Sequence, residues 1–468
     1  MAGMFTLGEV KVRPGAYSNI QSLGNSKITG AMNGVTAVVF KSDWGPLNEV
    51  VEVSREKGNE ELFGTALTAD IIGEAMKGGA KRVLCCRIGE GGTISKVILL
   101  DKNGAEAIEI ASKYVGAREF SVSIREKLSD ATKKECIIYQ DTKAVETLTF
   151  EKGAKEIVAL VAAFSKSVHF NAVKLIEGND GEFQNVAQQK FTKGTNPTVT
   201  TGSYSEGLLV LESEKYNTIC VDTEDQAVHI LLASYLDRIY DAGQFGMGVV
   251  AEKEDVTLTE RMGHAVAFNN HKMHYVVNPR MKTSVGIIDG YQTAARVAGL
   301  IAATPASRSL THMVIEGGLE LMEKITPTQI IEAETKGCLV LTMNGANQVW
   351  IDSGINTLTA LSDNQDEGWK KIRRTKTRFE LVTRAVAQAD SLIGKVDNDT
   401  NGRATIVSQV QGIGTAMIEE GKLVSCNVTE SIQVKSEGDN AYFDIEAIDK
   451  DSAEHIYLTF KFGFSSEE

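Results

Sequence analysis

A chain of 468 residues, 42% of them hydrophobic, is long enough to bury more than one core, and about three domains are expected. Lys and Arg number 49 against 62 Asp and Glu, a net charge of -13, which argues against a general nucleic-acid binder because displacing counterions from phosphates needs a cationic surface. No apolar run approaches the roughly 20 residues that cross a bilayer, and Met1 to Glu9 holds no basic stretch followed by an apolar core, so neither membrane insertion nor a secretory signal is expected.

Strand, helix and strand come first. Val35–Phe40 is a β-rich apolar run, and Ala66 to Lys77 carries apolar residues at helical spacing. Gly78-Gly79 supplies a C-cap, and Val83 to Cys86 is a second buried strand, which together make a parallel α/β unit. From about Thr93 to Phe150 the pattern becomes alternating. Val97–Leu100, a Lys102-Asn103-Gly104 turn and Ala107–Ile110 read as a hairpin, followed by Phe120–Ile124 and Glu135–Tyr139. A helix near Ala154–Phe164 closes this β-rich insert, and the polar stretch from Gly178 to Gly207 reads as a linker. Alternation then returns: Ile219–Val221, a helix over about Glu224–Ala242, Val249-Val250, a helix over about Leu258–Phe268, Tyr275–Val277, a helix over about Tyr291–Ala303 and Leu339–Met343. That order predicts a doubly wound sheet. Helices over about Arg378–Ile393 and Arg403–Glu420 precede three strand candidates, the last alternating strictly, with Ile456, Leu458, Phe460, Phe462 and Phe464 on one face.

Catalytic patterns are missing where they would have to stand. No G-x-x-x-x-G-K-[ST] loop occurs, and Gly243, Gly246 and Gly248 precede a strand, as a helix cap and turn would. His264, His271 and His274 lack the H-E-x-x-H spacing of a zinc pair and read as partly exposed loop residues. The cysteines, Cys85, Cys86, Cys136, Cys220, Cys338 and Cys426, show no C-x-x-C spacing, as expected of buried reduced thiols. A subtilisin-type triad fails on order and on the nucleophile: Asp352-Ser353-Gly354 follows every histidine but His455, and Ala416 stands where the serine hydroxyl would be. No catalytic residue, metal ligand or cofactor is expected. An α/β binding protein, or an enzyme with an unrecognised site, is the alternative.

The ends carry a further signal. Arg13-Pro14-Gly15-Ala16-Tyr17-Ser18-Asn19-Ile20 is extended, and a terminal strand as apolar as Ile456–Phe464 is an aggregation hazard unless it is paired. With Gly34–Phe40 leading to Trp44-Gly45-Pro46 and Leu62-Phe63-Gly64, Ala298–Ala302, and Lys371–Thr375, the chain resembles the contractile tail sheath family, most like sheaths of Gram-positive phages, prophages and phage-tail-like bacteriocins.

The resemblance implies a multidomain α/β fold. Its parts would be an arm over 1–25, a doubly wound, subtilisin-like α/β domain without the triad over 26–92 and 205–350, a β-sandwich insert over 93–178 on the particle's outside, a linker over 179–204, and an α+β assembly domain with a C-terminal arm over 351–468. It also implies partners: copies of itself in hexameric rings stacked helically, an inner tail tube, and baseplate and tail-terminator proteins, with no direct nucleic-acid contact. Assembly would occur in the host bacterial cytoplasm, with release by lysis. Intersubunit arms are expected at Arg13, Pro14, Gly15, Ala16, Tyr17 and Ile20 and at Ile456, Leu458, Phe460, Phe462 and Phe464. Lys370, Lys371, Arg373, Arg374, Lys376 and Arg378, the densest basic run, are expected to face the tube.

Overall fold

A computed structural model describes residues 3–4, 17–18, 33–55, 58–363 and 365–462. The chain separates into two compact units, Asn33–Thr377 with Lys450–Glu468, and Met1–Met32 with Arg378–Asp449.

The larger unit is built on a seven-stranded sheet in the order Cys338–Leu339, Met273–Val276, Met247–Ala251, Thr218–Val221, Val35–Phe40, Arg82–Arg87, Val50–Val53. The first six run parallel, and Val50–Val53 adds an antiparallel edge. Every residue of Val35–Phe40 is buried, as a central strand covered on both faces requires. The helix Gly290–Ala303 lies across the three central strands and crosses the helix Ile71–Lys77. Gly299 makes that crossing possible, since a Cβ there would collide with the Ala75 carbonyl oxygen. The helix Ile71–Lys77 begins later than the expected Ala66 because Leu67 adopts a left-handed φ of 56°.

The β-rich insert holds two antiparallel sheets around one core. One has the order Lys143–Glu151, Lys133–Gln140, Ser121–Glu126, Val186–Lys190; the other has Phe170–Lys174, Glu106–Val115, Ile94–Leu100. Ile108, Ile110, Val122, Ile138, Leu160 and Phe170 form the centre of that core. The stretch 179–204, expected as a linker, is different. Val186–Lys190 pairs with Ser121–Glu126, Phe183 and Phe191 are buried in the insert core, and Thr201 already opens the helix Thr201–Val210. Its polar composition reflects an edge strand with one solvated face.

The boundary expected at 350/351 falls instead between Thr377 and Arg378, within the helix Ile372–Asp390. Hydrogen bonds explain the shift. Thr357 N–H donates to Met273 O at 2.9 Å, Thr377 Oγ1 donates to Ala306 O at 3.2 Å, and Lys376 Nζ donates to the Ile301 and Thr304 carbonyls at the end of the helix Gly290–Ala303. A cation there meets the negative end of the helix dipole.

The smaller unit combines Arg378–Asp390 of that helix, the helix Thr400–Glu419 and a hairpin of Leu423–Glu430 with Phe443–Asp449. Asp399 Oδ1 caps the second helix by accepting Gly402 N–H at 2.8 Å. Leu381, Ile413, Met417 and Leu423 pack between helices and hairpin. Gly3–Met4 and Tyr17–Ser18 pair in parallel.

Candidate assembly site

The C-terminal segment from Lys450 to Phe462 forms neither helix nor strand, so the terminal strand expected from its alternation is not made among the described residues. Its first residues are tethered. Asp451 and Glu454 hold Lys371 Nζ at 2.9 and 3.1 Å, and Glu454 Oε1 accepts from Ser309 Oγ at 2.7 Å and Thr311 Oγ1 at 3.2 Å. Beyond Glu454 the side chains stand in solvent: Ile456 is 74% exposed, Leu458 and Phe460 72% each, Tyr457 91% and Phe462 94%. Of the other expected arm residues, Tyr17 lies in the short pair with Gly3–Met4. Arg13, Pro14, Gly15, Ala16, Ile20 and Phe464 lie outside the described residues.

The six cations expected to face a tube are engaged within the chain. Lys370 pairs with Glu367 at 2.9 Å, Lys371 with Asp451 and Glu454, and Arg374 with Asp366 at 3.6 Å and Asp451 at 4.0 Å. Arg373 is buried and donates to Ser452 Oγ, Lys376 is buried on carbonyls, and Arg378 pairs with Asp449 at 2.8 Å. Burial alone would lower the Lys371 pKa, but the two carboxylates on its ammonium outweigh it and hold it above the usual lysine value. This run fastens 366–377 to 451–454, and the smaller unit holds Arg378 to its own hairpin.

In the smaller unit a second ionic network sits under the hairpin. Arg384 reaches Glu380 at 3.1 Å and Glu420 at 2.9 Å, and Lys422 Nζ lies 2.6 Å from Glu380 and 2.5 Å from Glu420. Beside it opens an apolar groove of about 410 Å³ walled by Val386, Ile393, Ile406, Val410, Phe443 and Ile445. Among the described residues the hairpin pairs with no third strand. On the Leu423–Glu430 edge the Gln411 side chain donates to Cys426 O and accepts from Val428 N–H, both at 2.9 Å, which leaves the Phe443–Asp449 edge the more open one. An open strand edge, an apolar groove and a solvent-exposed apolar segment are surfaces that an added strand can cover.

The histidines correct another expectation. Only His264 is partly exposed, on the helix Leu258–Phe268, with Nδ1 2.8 Å from Glu252 Oε2. His271 is buried near Trp369, and His274 is wholly buried on its strand, where burial pushes its pKa down to about 4. Among the described residues no His, Cys, Asp and Glu cluster could hold a metal ion. Gly243 follows the helix Gln226–Asp241 at φ 82°, while Gly248 gives Leu236 and Met273 room to pack. Near Asp352, burial raises Glu334 to about 7, assisted by the Asp352 carboxylate. Thr342 Oγ1 donates to Asp352 at 2.7 Å.

Residues 198–357 match the family model of the phage tail sheath protein central domain. The chain carries a phage tail sheath central domain. Its relatives include the phage-like element PBSX protein XkdK of Bacillus subtilis, 21% identical over 97% of this chain and 98% of that protein. The tail sheath protein of Clostridium phage phiCD119 is 23% identical over 50% of this chain and 62% of its own. Among solved structures, the sheath tail protein of Desulfitobacterium hafniense has a TM-score of 0.70 at 18% identity, covering 93% of this chain and 100% of that one. The sheath tail protein Lin1278 of Listeria innocua has 0.69 at 19%, covering 90% and 96%. The helical sheath of the anti-feeding prophage in its contracted state is matched at 0.54 and 10%, covering 97% and 99%. The resemblance to the contractile tail sheath family read from the sequence therefore stands, and with it a mixed α/β multidomain fold.

Proposed function

We propose that this tail sheath protein polymerises as stacked hexameric rings around an inner tube and contracts to drive that tube through a bacterial envelope. The observation that carries the reading is the segment Ile456–Phe462, with five large apolar side chains in solvent beyond a salt-bridged tether. Such a segment must be covered in the working particle, because an exposed apolar strand would otherwise aggregate. Its occupant site is the hairpin Leu423–Glu430/Phe443–Asp449 and the adjoining groove of another copy, to which it adds a strand. Main-chain hydrogen bonds hold such a joint while alternate side chains fill the groove. The arm around Arg13–Ile20 does the same from the other terminus.

The subunit's α/β sheet has subtilisin-like topology without a triad, and its β-sandwich insert points outward, away from the tube. Baseplate and tail-terminator proteins cap the stack, and assembly takes place in the host cytoplasm. Deleting residues 455–468 should leave a folded protein that forms no tubes in electron micrographs. Tubes as long and regular as those of the full chain would overturn the reading.

A further inference from the structure

The insert is joined to the seven-stranded sheet by two chain segments, bridged to each other at Glu90–Thr198, Thr93–Thr195 and Lys96–Thr192. The neck is braced by single hydrogen bonds, Gly116 N–H to Thr93 O at 3.1 Å and Ala117 N–H to Asn196 Oδ1 at 2.8 Å from the insert, and Asn48 Nδ2 to Gly89 O at 3.1 Å from the sheet side. Trp44 supplies a third point of attachment. It follows the central strand Val35–Phe40, yet its ring is buried in the core of the insert, 4.9 Å from Phe120, 5.3 Å from Tyr114 and 5.9 Å from Phe170. Arg118, on the insert, covers that ring at 5.5 Å and is itself held by Gln140 Oε1 at 2.8 Å.

The base of Trp44 is fixed from the sheet. Arg87, wholly buried at the end of Arg82–Arg87, donates from Nε to Ser42 O at 3.1 Å and from Nη1 to Gly45 O at 2.7 Å. Ser42 Oγ donates to Phe63 O at 2.8 Å, and Gly45, at φ 104°, has no room for a side chain against Leu62 and Phe63. Asp43 comes near Arg118 without pairing with it, and neither Asp43 Oδ1 nor Arg118 Nη1 has a hydrogen-bond partner among the described residues. The two atoms flank Gly64, where a Cβ would sit 2.9 Å from the oxygen and 4.0 Å from the nitrogen. Trp44-Gly45-Pro46 and Leu62-Phe63-Gly64, which strand exchange does not use, meet at this one place.

We infer that Trp44 and Arg118 form a latch that makes the α/β sheet and the β-rich insert a single rigid body. Load applied to the insert is then carried into the sheet instead of being lost in bending at the neck. Only the consequence for the polymer rests on the sheath reading; the latch itself is a property of one subunit.

The test is a distance distribution between spin labels at Leu128→Cys on the insert and Asp255→Cys beside the sheet, both exposed positions, in a Cys426→Ser background. The remaining cysteines are buried. The intact latch should give one narrow distribution. Trp44→Ala and Arg118→Met should each broaden it at least twofold, with unchanged secondary structure by circular dichroism. Arg118→Met keeps the apolar stem and removes the guanidinium, so it carries the test if Trp44→Ala does not fold. A width unchanged in either folded variant overturns the latch, and because the measurement is made on monomers it does so whether or not the chain forms tubes.

Discussion

Arg296 and Glu74 join the two helices whose crossing Gly299 permits, and they are 2% and 3% exposed. Arg296 Nε donates to Glu74 Oε2 at 2.8 Å, Nη2 donates to the same oxygen, and Nη1 donates to Glu316 O at 2.9 Å. Replacing Arg296 by Met leaves a buried carboxylate whose remaining cation, Lys77 at 2.9 Å, comes from a partly exposed side chain. Breaking a buried pair costs roughly 3–5 kcal/mol, and the surviving lysine puts this case near about 3 kcal/mol. A unit of this size loses about 1–2 °C in Tm per kcal/mol, so a fall of about 3–6 °C is expected by calorimetry, with a matching shift in urea. The double variant Glu74→Leu/Arg296→Met should recover most of that loss, because an apolar replacement removes the stranded charge. A single-variant cost below about 1 kcal/mol, or a double variant no more stable than Arg296→Met, would refute the reasoning.

Gly299→Ala should lower the Tm of the larger unit sharply, since its Cβ meets the Ala75 carbonyl oxygen, whereas Gly412→Ala, with open space around it, should not. Lys371→Glu, or acid, should free the C-terminal segment to proteolysis after Asp449. Hydrogen bonding and charge from Lys371 overcome burial and hold the Asp451 pKa below 3.8, so this stabilisation is present above that value and is lost as pH falls through the lower folded-state pKa. Glu334 works in the opposite sense. Its folded pKa near 7 lies above the ordinary 4.5, so it subtracts stability as pH rises between them, and Glu334→Gln should remove that part of the slope in urea titrations from pH 4.5 to 7. An unchanged slope would mean that the Glu334 carboxyl is not buried beside Asp352 as described.

Where one stretch of chain contained its own signal, the sequence was readable. The helix Leu258–Phe268 has its capping box in Thr257 and Glu260 and its apolar face in Met262 and Ala265, and the Lys102-Asn103-Gly104 turn marks its hairpin. Edge strands were harder to see. Lys143–Glu151 buries only Phe150, and Val186–Lys190 buries nothing fully, so neither shows a clear period of two. Partners distant in sequence were invisible. The run from Lys370 to Arg378 reads as a solvated face until Asp449, Asp451 and Glu454 arrive some 70–80 positions later to neutralise it. Nothing local marks Trp44 as part of another sheet's core. The C-terminal alternation was legible as an apolar strand in need of a partner, and the chain by itself supplies none among its described residues.

The central claim is that copies are joined by strand addition at the hairpin. A cryo-electron microscopy map of the assembled polymer, at a resolution that separates strands, tests it directly. The account requires residues 456–464 of one copy to lie as an added strand along an outer edge of Leu423–Glu430 or Phe443–Asp449 in another, with Ile456, Leu458, Phe460 and Phe462 on the groove. A map in which those edges stay unpaired, or in which Ile456–Phe462 folds back onto its own copy, would contradict it.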